Sequence, residues 1–348
     1  SLNISSSAES DILAGMSPVP ISFEFYPPKT DEQREQLRRT VSRLKKHSPQ
    51  FASVTFGAGG STLSYTPETV RELRQEHGLD GVPHLSCMGG TREELGSLLQ
   101  LYRALGCNRV VALRGDLPSG MARMGDFRFA SELVEFIRET QDGHFRIEVG
   151  CYPETHPQAE DALADLRHFK AKVDAGADSA ITQYFYNPDA YFRFVDDARA
   201  LGITIPIIPG IMPISNFSQL RRFSEACGAE IPRWIGKRMQ AYGDDSDAIR
   251  DFASDFVAEG LVPTDLAALA RCPNTRFSVS ATECIFGMAW TAEQFRPWLL
   301  AAIDLFGDHL PQSGLASARK KIVTALGHDP SEEGLEIARS GGDDSDVA

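Results

Sequence analysis

Seven short apolar runs rich in β-forming residues recur along this chain, spaced by about 30 residues, the length of one β–α unit. They are PISFEFYPP, FASVTFGAGG, PHLSCMGG, NRVVALRGD, FRIEVGCYPE, SAITQYFY and IPIIPGIMP, and an eighth, TRFSVSAT, follows later. Amphipathic segments with helix punctuation lie between them. Thr30 with Gln33, and Thr91 with Glu94, have capping-box spacing. Leu37, Val41 and Leu44 share one helical face, as do Leu95, Leu98, Leu99 and Tyr102. Thr66-Pro67 and Asn187-Pro188 put proline at the first helical position behind a capping residue. Gly78, Gly106, Gly176, Gly202 and Gly228 stand where C-terminal caps belong. Eight strands alternating with helices specify an α/β fold, a (β/α)8 TIM-type barrel. A doubly wound sheet would need a glycine-rich turn after its first strand, and FYPPKT is no such turn.

The bulk numbers agree. A chain of 348 residues, 42% hydrophobic, can bury one large core. Residues 1–18 read as a flexible lead, 19–310 as a single barrel whose closing unit is 261–310, and 311–348 as a helical, acidic tail with a disordered end. The formal charge of −13 speaks against a nucleic-acid binder. No apolar run reaches about 18 residues, so no membrane span is expected, and the start has neither a charged n-region nor an apolar h-region of a signal peptide. Six cysteines without C-x-x-C spacing suit reduced thiols of a cytoplasmic protein. Eight histidines without H-x-H or H-E-x-x-H give no support for a metal site, a hydrolytic one included.

Barrel active sites gather at the C-terminal ends of the strands, and here those ends are rich in polar groups. Strand one carries Glu24 between Phe23 and Phe25, and strand two ends on Thr55 and GAGG. Strand four ends in Leu113-Arg114-Gly115-Asp116, strand five in YPETH (Tyr152 to His156), and strand six in Gln183. Each has a plain alternative: an ion-pair partner for Glu24, an ordinary loop for GAGG, satisfied core histidines for His84 and His156, and paired charges for Arg114 and Asp116. Gln183 could be a capping group, and Phe223 has core spacing with Leu220 and Cys227.

The blocks FEFYPPKT, VTFGAGGST, PHLSCMGGT, VALRGDLPSG, YPETHP, KVDAGADSAITQYFYN and IIPGIMPISNF stand in an order and spacing that resemble the flavin-dependent methylenetetrahydrofolate reductases, over about residues 19–260. That resemblance implies a barrel with non-covalent FAD, which NADH or NADPH reduces. The flavin then passes hydride to 5,10-methylenetetrahydrofolate to give 5-methyltetrahydrofolate, both substrates using one face in turn; a homo-oligomer is also implied. Glu24 matches the family's general acid, with the flanking phenylalanines expected to tune it. Asp116 matches an aspartate near the flavin pyrimidine edge and the pterin. Gln183, Gln219 and Phe223 match substrate contacts. The matching FAD positions are Thr55, His84, Leu113, Arg114, Gly115, Asp116, Phe129, Gly150, Tyr152, His156, Asp165, His168 and Lys172. Arg114 and Lys172 suit the pyrophosphate, and Asp165 and His168 the sugar and adenine side. Phe129 replaces a tyrosine found in some members, and His168 an asparagine. After Gly260 the family continues into a strand resembling HFYTLNR, which this chain lacks. Flavin binding is therefore expected to survive, and the alternative is an FAD-binding barrel with impaired folate reduction.

Overall fold

The computed structural model describes residues 21–56, 65–115, 125–212, 214, 216–243, 245, 248–249 and 251–252, and the backbone of Phe277–Ser280. The expected lead (1–18), the tail (311–348) and most of the closing unit lie outside these residues, as do the GAGG loop and Asp116. The chain divides into two compact units. One comprises Ile21–Ser246 with Arg276–Ala289 and holds every described strand; the other comprises Ser1–Pro20, Asp247–Thr275 and Trp290–Ala348.

The first unit alternates strands and helices. In order they are β1 (Ile21–Phe25), α1 (Asp31–Leu44), β2 (Phe51–Val54), α2 (Tyr65–Gln75), β3 (Gly81–Ser86), α3 (Arg92–Ala104), β4 (Arg109–Leu113) and α4 (Ala130–Thr140). There follow β5 (Arg146–Cys151), α5 (Ala162–Asp174), β6 (Ser179–Thr182), α6 (Pro188–Ala200), β7 (Ile207–Ile208), β8 (Gly210–Ile211), α7 (Phe217–Cys227), α8 (Arg233–Tyr242) and β9 (Phe277–Ser280). The punctuation acts where expected. Thr30 caps α1, Thr91 and Glu94 form a full capping box on α3, and Asn187 caps α6 with Pro188 behind it. Helix α2 differs: it already includes Tyr65 and Thr66, so Pro67 sits within the first turn, where a missing N–H costs no helical bond.

The sheet runs β7-β6-β5-β4-β3-β2-β1-β9-β8, with every neighbouring pair parallel. Its two ends, β7 and β8, are separated only by Pro209, so the sheet returns on itself as a barrel. The run IPIIPGIMP thus forms two pieces instead of one strand. Proline cannot donate to the ladder, and β7 pairs with β6 while β8 turns to β9. Gly210 sits so close to β6 that a Cβ there would lie 2.1 Å from the Thr182 carbonyl oxygen. The eighth run supplies β9, whose register against β1 places Ser278 beside Ser22 and Ser280 beside Glu24.

In-register partners on parallel strands share a face. One face carries Glu24, Ser53 and Val82 across β1 to β3, then His84, Val111, Glu148 and Ser179 across β3 to β6. This is the barrel interior, where Phe51, Val82 and Val111 cluster with Leu113 and Ile181. The opposite face, beneath the helices, holds Phe23, Phe25, Val54, Val110, Ile147 and Val149, all fully buried. Each such side chain contributes about 1.5–3 kcal/mol of transfer free energy.

Low in the interior, Glu148 is 0% exposed. It accepts from the Arg109 guanidinium and the Ser179 hydroxyl, with Arg146 Nε at 3.9 Å. Replacing Glu148 by Ala strands the Arg109 charge and should cost about 3–5 kcal/mol in urea-induced unfolding. A loss below about 1 kcal/mol would mean that water reaches Arg109 and that the pair is no part of the core.

Candidate active site

Glu24, the penultimate residue of β1, points into the barrel with its side chain 27% exposed, and His84 Nε2 on β3 stands 3.5 Å from its Oε2. Such a contact is a salt bridge only if the imidazole is protonated. It is not: burial alone pushes the His84 pKa down to about 3. Glu24 therefore meets a neutral ring. Phe23 and Phe25, expected to tune the acid, lie on the other face of the strand by simple alternation, whereas His84 faces the carboxyl.

Around this pair the strand ends present main chain and buried polar atoms. The Thr55 N–H donates to the Phe25 carbonyl at 2.9 Å and its own carbonyl accepts from the Thr66 hydroxyl at 3.0 Å. Thr55 Oγ1, His84 Nε2 and Arg114 Nε are all buried and make no hydrogen bond among the described residues. The Arg114 carbonyl takes the Met88 N–H at 2.9 Å, the Ser86 hydroxyl at 3.0 Å and the Cys87 thiol at 3.6 Å. That pins the turn leaving β4 after Leu113. Gly115 follows at φ +76°, where a Cβ would stand 1.9 Å from Ser86 Oγ, so only glycine fits the turn.

The loop after β5 is held from below. The His156 N–H donates to Asp165 Oδ2 at 2.8 Å, and the ring packs edge-on against Tyr152 with centroids 4.5 Å apart. His156 Nδ1 accepts the Gln158 N–H at 3.0 Å, and the Gln158 side-chain oxygen accepts from Arg114. Lys172 reaches from α5 to the Gly150 carbonyl, and burial lowers its pKa. Phe129, 42% exposed at the head of α4, packs against His168 at 5.6 Å.

A further group comes from β6 and α7. Gln183 donates its N–H to the Cys151 carbonyl, and its side-chain oxygen accepts the Tyr184 N–H at 3.0 Å. Tyr184 Oη lies 3.1 Å from Ser224 Oγ on α7. Gln219 sits in the first turn of that helix, its N–H on the Asn216 side chain at 2.9 Å. The buried face of α7 is Leu220 and Ser224, while Phe223 is 39% exposed, so it is no core residue. Sequence reasoning missed Ser86, Gln158 and Ser224. Gln158 had a readable signal two residues beyond His156; the others depend on contacts distant in sequence. Asp116 lies outside the described residues. Among the described residues no cluster of metal-ligating side chains occurs, and no helix is long and apolar enough to cross a membrane.

The fold is a (β/α)8 barrel whose polar groups converge at the strand ends. The family profile of methylenetetrahydrofolate reductase matches residues 11–263. The 5,10-methylenetetrahydrofolate reductase of Escherichia coli (strain K12) is 40% identical over 227 residues, covering 65% of this chain and 75% of that protein. Methylenetetrahydrofolate reductase (NADH) 1 of Zea mays is 38% identical over 252 residues, covering 69% of this chain and 42% of that one. A solved Clostridium thermocellum protein, described as binding two copies of 5-methyl-5,6,7,8-tetrahydrofolic acid, superposes with TM-score 0.55 at 14% identity. It covers 85% of this chain and 98% of its own, and bears on the fold alone. The chain belongs to the methylenetetrahydrofolate reductase family.

His84 makes the site pH-sensitive in a definite direction. Its folded pKa lies near 3 against an ordinary 6.5, so the unfolded chain binds a proton that the folded chain refuses. The stability this confers is complete above about pH 6.5 and is lost as pH falls from there toward 3, by at most about 1.4 kcal/mol per pH unit. His84→Gln should flatten that acid limb in denaturant titrations at a series of pH values. An unchanged slope would assign the acid sensitivity to another group.

Proposed function

We propose that this chain reduces 5,10-methylenetetrahydrofolate to 5-methyltetrahydrofolate with NADH or NADPH, through FAD bound non-covalently at the C-terminal mouth of the barrel. The observation that carries this reading is a trio of buried polar atoms at that mouth that make no hydrogen bond among the described residues: Thr55 Oγ1, Arg114 Nε and His84 Nε2, the last 3.5 Å from Glu24 Oε2. A buried polar group without a partner costs about 1–3 kcal/mol, and all three sit at positions matching flavin contacts in the family. Bound FAD would supply the two-electron carrier between nicotinamide and folate.

The chain's own residues divide the remaining work. Arg114 and Lys172 would meet the pyrophosphate. An anion beside Lys172 would offset the burial that lowers its pKa. Asp165 and His168 would hold the sugar and adenine side, with Phe129 beside His168; Tyr152, His156, Leu113, Gly115 and Gly150 would shape the rest of the cofactor wall. Glu24 would give its proton to the folate nitrogen as the five-membered ring opens. A neutral His84 offers that carboxyl no positive charge that would favour ionisation, which suits a proton donor. Asp116 would act by charge near the flavin and pterin. Gln183 and Gln219 would hydrogen-bond the folate, and the exposed ring of Phe223 would pack on either substrate in turn.

A second reading, a flavin barrel with impaired folate reduction, is favoured by one observation: the family match ends at residue 263, before the closing strand. An anaerobic titration separates the two. The full-length protein loaded with FAD should lose its visible flavin band on adding NADH or NADPH and regain it on adding methylenetetrahydrofolate. Loss without recovery selects the second reading, and no flavin binding overturns both.

Glu24→Gln should lower folate reduction by about 100- to 10,000-fold while leaving flavin bleaching by NAD(P)H within a few-fold of wild type. Equal loss of both half-reactions, followed by stopped-flow absorbance, would remove Glu24 from the acid role. Asp116→Asn should shift the flavin midpoint potential and slow the folate half-reaction. Unchanged values of both would place that carboxylate elsewhere.

A further inference from the structure

Thr155 is the one β-branched residue with positive φ among the described residues, at +79°. L-residues with branched side chains avoid that region, and strain of this kind persists only where neighbours enforce it. The neighbour here is the corner between α7 and α8. Gly228, itself at φ +76°, approaches so closely that a Cβ would stand 2.9 Å from Pro157 Cγ and 3.0 Å from the Thr155 carbonyl oxygen. Two residues on, the Glu230 N–H donates to Glu154 Oε2 at 2.8 Å, across 76 positions of sequence. The other oxygen, Glu154 Oε1, is buried without a hydrogen-bond partner among the described residues. Burial, and to a lesser degree the Glu230 charge, raise the carboxyl's pKa, while the Glu230 N–H and the Arg193 charge oppose that. Glu154, Arg193 and Glu230 line a cavity of about 240 Å³ with Tyr152 and Asp165.

The two sides of this contact carry different parts of the site. The strained loop bears Tyr152 and His156, at cofactor positions. Helix α7 bears Gln219 and Phe223, at substrate positions, and is tied through Ser224 to Tyr184, next to Gln183. We infer that Glu154 is a positioning residue: its carboxylate, closed on the Glu230 N–H and backed by Gly228 against Thr155, sets the spacing between the cofactor loop and the substrate helix. The inference rests on the flavin and folate reading above for the meaning of the two sides, but the clasp itself can be tested without either ligand.

Two variants probe it. Glu154→Ala removes the acceptor, whereas Glu154→Gln keeps a side-chain oxygen for the Glu230 N–H. Hydrogen exchange on the FAD-free full chain should show faster exchange at 217–230 in Glu154→Ala, with the remaining elements unchanged, and wild-type protection in Glu154→Gln. In the FAD-loaded enzyme, Glu154→Ala should raise KM for methylenetetrahydrofolate by about 10-fold or more, as expected of a small misplacement, with FAD affinity held within about 3-fold and Glu154→Gln restoring KM. Unchanged exchange at 217–230 overturns the clasp. Altered exchange with FAD affinity and both half-reactions falling together makes Glu154 merely structural and overturns the positioning role. A wild type that takes up no FAD fails the flavin reading, and exchange alone then decides the clasp.

Discussion

A closed parallel barrel has to dispose of every side chain its strands turn inward, and their register decides which of them meet. Here that constraint sorts the inward side chains into separate neighbourhoods. Arg109, Glu148 and Ser179 meet in one buried polar cluster, Phe51, Val82 and Val111 pack with Leu113 and Ile181, and Glu24 meets His84. Burial costs the imidazole its charged form, so the carboxyl beside it has a neutral neighbour. Slip one strand by one residue and this order collapses, because every inward residue would turn to the helix side. The chemistry proposed for Glu24 is therefore a property of the whole ring of strands.

The mouth itself is shaped mainly by main chain. Three donors from the end of β3 and the residues after it converge on one carbonyl, that of Arg114, and they fix the turn that only Gly115 can complete. Side chains then fill in charge. The chain carries a formal −13, yet Arg114 and Lys172 both lie at this end, each held by a neutral acceptor, Gln158 or the Gly150 carbonyl. A cation so held keeps its attraction for an anion, which a carboxylate partner would cancel.

Much of this was legible in the sequence, for identifiable reasons. Strand and helix positions follow from local periodicity and from caps such as Thr91 with Glu94, which need no tertiary information. The alternation around Glu24 was legible too, but its consequence was not: the phenylalanines flank it in sequence and therefore cannot face it in space. His84, 60 positions away by numbering, became its neighbour only through the register of β1, β2 and β3. Phe223 read equally well as core or as surface, because helical spacing alone cannot say which of two adjacent stripes is covered; Leu220 and Ser224 took the core. The split at Pro209 was readable as a proline in a strand, yet its use as the point where the sheet passes from β6 to β9 is a topological fact that no local pattern carries.

The departure from the family after Gly260 bears on closure and recognition in different ways. A parallel ladder is made by backbone N–H and C=O groups, so any run able to hold extended geometry at the right register can close it. The run TRFSVSAT has the β-branched and aromatic residues for that, and Phe277–Ser280 takes the place between β1 and β8. Recognition of a folate has no such tolerance, because it depends on particular side chains at particular strand ends. A barrel can thus retain its closing strand while the HFYTLNR-like segment its family uses is absent. The pairing of Glu24 with His84 needs only closure, and the proposed flavin contacts lie at the ends of β2 to β5 and on the helices after β4 and β5. In the proposed reaction folate affinity is the part exposed to the change of sequence, so on physical grounds the two half-reactions need not share one fate.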